Sequence, residues 1–259
     1  MVASVGYNNA DIPKTLKHIE CLFMCFESTA LELKSKFHLI GPLEQLIHLY
    51  KYQEQSQPAF MQHFEEILQK ISALTTLGQQ LQNGDIIKSA FMLIEVMFAV
   101  NQGEAHVKVN ELCMGLQFQV VDHYMNALNT DLLSLNSSLK QDQLQLSREN
   151  PVVGNIMHKI DIIGCFIRMI YRVFEKVTGK TAFSPSYYYF VMCPELSCIL
   201  VRVFAFGVQI PNSPNNSSVI AITGLQTLDN LINQLKTKSL ECINFLIKKK
   251  DEKCDLLIK

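Results

Sequence analysis

Seven apolar residues, Ile156, Ile160, Ile163, Ile167, Ile170, Phe174 and Val177, recur at alternating steps of four and three. Residues three and four apart share one side of an α-helix, so this spacing commits about six turns of chain to one helix with a continuous apolar face. Weaker versions of the same alternation run through most of the sequence. No segment sustains the period of two that a half-buried strand requires, so no sheet is expected.

The remaining punctuation divides the chain into further helices. Asp11 and Pro13 suit a helix start, followed by Leu16, Ile19, Phe23, Phe26, Ala30 and Leu33 at helical spacing. Gly41-Pro42 breaks the chain, and a short helix over 43–53 follows. Pro58 opens another, with Phe64, Ile67, Ile71, Leu74 and Leu81 inward, ending at Asn83-Gly84. Asp85 is placed to cap the nearly all-apolar segment that follows. The longest candidate covers about 104–140, with Leu112, Leu116, Val120, Tyr124, Ala127, Leu128, Leu135 and Leu139 as its stripe. Asn150-Pro151 forces a break before the helix of the seven apolar residues, because the residue before proline avoids the helical region. That helix stops at 178–180. Ser184-Pro185 starts a very apolar run expected to be a central, fully buried helix. After the loop 211–218, a last helix begins at Thr223 or Gly224, with Leu228, Leu231, Leu235, Cys242 and Phe245 inward.

The fold expected is therefore all-α: a multi-helix antiparallel bundle, or an irregular helical-repeat, solenoid-like domain. Short connectors favour antiparallel neighbours, and no motif recurs at a fixed period. Residues 1–259 are read as a single helical domain; a subdivision, if the chain has one, falls in the polar stretch 140–150.

Composition narrows the function classes. Hydrophobic residues make up 48% and charged residues 18%, against roughly 25% charged in an average domain. Helices this apolar must be covered by one another or by a partner. The 23 basic and 24 acidic residues leave a net charge of −1, without the basic excess of a nucleic-acid binder, so no nucleic acid is expected. Residues 186–210 are long enough to span a bilayer, but Glu195 and Arg202 are expensive there, so no transmembrane span is expected. The eight cysteines show no zinc spacing and suit a reducing compartment. The first fourteen residues lack the apolar core of a signal peptide. On these features the chain is expected in the cytoplasm or nucleus. The Asn-x-Ser motifs at Asn136 and Asn215 would matter only in a secreted protein.

Candidate chemistry is sparse. Glu44 with His48, Glu104 with His106, and Asp122 with His123 lack the i, i+3 relation of a bundle metal site. Cys21 and Cys25, one turn apart with His18, are read as packing thiols, and Cys193 and Cys198 point in different directions. No nucleophile elbow, phosphate loop or dinucleotide fingerprint occurs, so neither catalytic residues nor metal nor cofactor are assigned and the chain is read as a non-enzyme.

Three groups stand out for other reasons. Glu195 and Arg202 lie two turns apart on one face of an apolar helix, and a buried carboxylate needs a partner. Glu195 is therefore expected to pair with Arg202, Arg172 or Arg168, or to anchor a cavity with Arg202. Tyr187, Tyr188, Tyr189 and Phe190 cover every side of one turn, so at least one tyrosine is expected to be exposed, which suits partner contact, with ordinary packing at the helix start as the alternative. The C-terminal helix carries apolar residues beyond one stripe, Leu246 and Ile247 among them, which suits docking on another chain. Lys248, Lys249 and Lys250 suit a solvated helix end near the negative pole of the helix.

Together these features favour a non-catalytic scaffold or adaptor subunit of an intracellular complex, built for protein–protein interaction through bundle or coiled-coil contacts. A helical carrier or receptor enclosing a hydrophobic small molecule or lipid is the alternative. Self-association as a coat-like protein is a third expectation.

Overall fold

The computed structural model describes Met24 and residues 57–99, 109–140, 151–178, 193–209 and 219–257. Among these residues the structure is all-α and contains no strand. The described helices fall into two compact units, 1–114 and 115–259. The division between these units falls at 114 and 115, and residues 141–150, where composition would divide the chain, lie outside the described residues.

In the first unit, helix α1 (Gln57–Gln80) and helix α2 (Gly84–Ala99) form a hairpin. Leu68, Ile71 and Leu74 of α1 are buried with Ile86, Ile87, Ala90, Phe91, Leu93 and Ile94 of α2. Gln82 holds the left-handed conformation, with φ of 50°. The Asn83 N–H bonds the Gly78 carbonyl at 2.8 Å and the Gln82 N–H bonds that of Gln79 at 3.0 Å. These are the two bonds of a Schellman ending, which satisfies carbonyls that the helix itself leaves open.

Asn83 then starts the next helix. Its Oδ1 accepts from the N–H groups of Asp85 at 3.0 Å and Ile86 at 3.2 Å, the bonds expected of an N-cap residue. So Asn83, not Asp85, caps α2, and Gln82, not Gly84, takes the positive φ. Asp85 sits in the first turn and pairs with Lys88 at 2.8 Å. The tight reversal also explains Gly78: a Cβ there would lie 2.7 Å from the Ile87 side chain. Leu81, expected inward, is exposed beside the turn.

A π-helical turn, Asn110–Met114, packs on α1. The Ser72 hydroxyl donates to the Leu112 carbonyl at 3.0 Å, and the Cys113 thiol reaches the Leu68 carbonyl at 3.2 Å. A π turn holds more residues than an α turn, so a stripe counted at α-helical period loses phase across it. Leu112, on which the expected stripe was anchored, is accordingly 38% exposed, while Val109, Cys113 and Met114 are buried.

The second unit contains helix α3 (Gly115–Lys140), helix α4 (Pro151–Thr178), helix α5 (Pro194–Arg202) with a 3-10 turn over Val203–Ala205, and helix α6 (Val219–Leu257). Helix α4 is central. Ile156, Ile160, Ile163, Ile167, Ile170 and Phe174 are all buried, as the alternation requires, and Ile162, Phe166 and Met169 are buried beside them. One face meets α6 and another meets α3. Phe118 packs edge-on against Phe166 at 6.0 Å, and Lys159 pairs with Asp131. These contacts make α3 and α4 antiparallel.

Helices α4 and α6 run parallel instead. Gly164 lies beside Leu235, the Cys242 thiol points at the Ile167 carbonyl, and Phe174 stacks on Phe245 at 4.7 Å, so numbers rise together along both. The buried positions Leu225, Leu228, Ile232, Leu235, Ser239 and Cys242 of α6 alternate by three and four, matching the period of α4. Two parallel helices sharing one period keep their seams facing along their length. Helix α6 opens at Val219, earlier than Thr223.

Helix α5 packs on α3 and α6. It is short and amphipathic rather than fully buried: Leu196, Ile199 and Leu200 face inward, while Val201 is 60% exposed. The central buried helix of this unit is α4, because its flanking positions are apolar on two sides, whereas α5 alternates with Glu195, Ser197 and Cys198 outside.

Candidate functional site

The seam between α4 and α6 leaves an open groove along one flank. Since the three-and-four positions of both helices are spent on each other, the residues beside them form its walls: Met157, Asp161 and Arg168 from α4, and Asn230, Leu231, Gln234 and Lys238 from α6. Ile160, Gly164 and Leu235 lie at the base of a space of about 690 Å³. Gly164 deepens it. A Cβ at this position would stand 3.6 Å from Leu235 and 3.4 Å from an Arg168 guanidinium nitrogen.

That guanidinium therefore lies over the glycine and reaches Asp161 at 3.6 Å, with both side chains about half exposed. Such a pair is worth roughly 0–1 kcal/mol and is readily exchanged for another partner. Lys238 pairs with Glu241 at 2.7 Å and sits 4.9 Å from the centre of the Tyr171 ring. The Asn233 amide donates to Asp229 at 3.0 Å and the Thr237 hydroxyl to the Asn233 carbonyl at 2.9 Å. An apolar floor inside a rim of amides and charges is the composition of a recognition surface.

The other singled-out residues fall elsewhere. Glu195 is exposed and accepts from the Cys193 thiol at 2.8 Å; this bond holds its carboxyl below the ordinary range. The expected buried pair with Arg202 does not form, because α5 turns Glu195 to solvent. Arg202 instead reaches α3, where its guanidinium meets Asp122 and also Asn126 at 2.6 Å. The Asn126 amide donates to Asp122 at 3.0 Å, which closes a three-residue clamp. Arg172 is exposed on α4, and Arg168 belongs to the groove. Neither Glu195 nor Arg202 lines it; its charged lining residues are Asp161, Arg168 and Lys238.

Leu246 of α6 is half-buried and Ile247 is 54% exposed. Leu240, two turns before Ile247 and so on the same side of the helix, is also exposed. Tyr187, Tyr188, Tyr189 and Phe190 lie outside the described residues, as do Cys21, Cys25, His18, the Glu44–His48 pair and the Glu104–His106 pair.

Asn136, the asparagine of one Asn-x-Ser motif, uses both ends of its amide. It donates to the Gly207 carbonyl at 3.0 Å and accepts from the Gln209 N–H at 2.9 Å, pinning the extended segment after the 3-10 turn to α3. Sequence gave no sign of this role, nor of the groove, whose members are ordinary surface residues on two helices distant in the chain.

Cys113, Cys165, Cys193, Cys198 and Cys242 form no disulfide, and Cys113 and Cys242 are buried. Desolvation pushes Cys113 up to about 11 and Cys242 up to about 12, so both are neutral near pH 7 and poor nucleophiles. Among the described residues no three His, Cys, Asp or Glu side chains come together as a metal site, and no helix is long and apolar enough to cross a membrane. Searched against known protein families, curated proteins and solved structures, the chain matches none.

Proposed function

We propose that this chain is a non-catalytic scaffold or adaptor subunit of an intracellular complex, and that its second unit carries the partner-binding surface. The observation that supports the reading is the α4–α6 groove, apolar at its floor, polar at its rim and open among the described residues. Leu240 and Ile247 extend apolar surface along the same helix, and coiled-coil-type contacts along α6 are the means of docking. The aromatic residues Tyr187, Tyr188, Tyr189 and Phe190 belong to the same proposal.

The test is affinity purification of the chain from its source cell, with bound proteins and small molecules identified together. Gly164→Leu, which fills the groove, and Ile247→Asp, on an exposed position, are run beside the natural chain. Both should keep the natural helical content by circular dichroism and lose specific protein partners. Unchanged partners in both variants would sink the reading.

The groove volume favours one second reading, since small-molecule sites occupy about 300–1,000 Å³. A carrier of a hydrophobic molecule would show a bound ligand by native mass spectrometry, lost in Gly164→Leu, with no protein partner retained.

A further inference from the structure

We draw no further inference here: the strongest candidate, the uncovered groove between α4 and α6 over Gly164 and Leu235, belongs to the site already described, and nothing in the structure shows what covers it.

Discussion

Asn83 serves two helices at once, as the residue after the turn of α1 and as the cap of α2. Losing an asparagine cap costs roughly 0.5–2 kcal/mol, so Asn83→Ala should speed hydrogen exchange of amides in 57–99 while leaving 115–257 unchanged. Gln82 pays the steric cost of a left-handed conformation that glycine adopts freely. Gln82→Gly should therefore slow exchange in the same helices, by an amount on the order of 0.5–1 kcal/mol. Ser239 is buried and donates at 2.8 Å to the Leu200 carbonyl in the last turn of α5, where intrahelical donors run out. Ser239→Ala leaves that carbonyl unsatisfied, and a loss of about 1–3 kcal/mol should appear in urea unfolding.

The buried thiols set a pH dependence with a definite sign. Folding raises Cys113 and Cys242 above their ordinary value of 9.0, to about 11 and about 12. A thiol held neutral in the fold gives its full contribution below pH 9.0 and loses it as pH climbs through 9 to 12, because the unfolded chain ionises first. Stability should fall over that window, and the Cys113→Ala/Cys242→Ala variant should fall less steeply in denaturant midpoints measured from pH 8 to 11. An equally steep decline in that variant would assign the effect to other groups.

At the scale of elements, Gly78 is where α1 and α2 come closest. Gly78→Val places carbon 2.7 Å or less from Ile87, which forces the hairpin apart; exchange protection in α2 should drop while α4 keeps its own. What sequence shows at this scale depends on regularity. Helix α4 is legible because one period governs it from Pro151 to Thr178, with proline fixing its start. The stripe through Leu112 fails because five residues, Asn110–Met114, adopt a wider turn with no sequence signature. The Asn83 cap is missed for a related reason: Asn, Gly and Asp stand in a row, each able to end or begin a helix, and only the hydrogen bonds choose among them. Glu195 misleads because its apolar neighbours suggest burial, while a nine-residue helix has room to turn one side to water.

At the scale of the molecule, each unit has its own buried core, one around Ile71, Ile87 and Phe91 and the other around α4. A fragment of residues 115–259 is expected to fold by itself, giving a helical spectrum and a cooperative melt; a non-cooperative loss of signal would show that it needs the first unit. The candidate groove was not legible at all in the sequence. Gly164 looks like any helix-packing glycine until Leu235 is placed beside it, and nothing local announces that α4 and α6 are neighbours.

The parallel course of those two helices has a kinetic consequence. Antiparallel pairs close over short stretches, as Lys159 and Asp131 do at a separation of 28 residues, whereas Cys242 meets Ile167 only after 75. Loop closure over the longer span loses more chain entropy and is reached later. The hairpin of α3 and α4 should therefore assemble first, leaving the isoleucine row of α4 bare until α6 arrives. During synthesis that interval is when the nascent chain is most exposed to aggregation, and when a chaperone would have the most to hold.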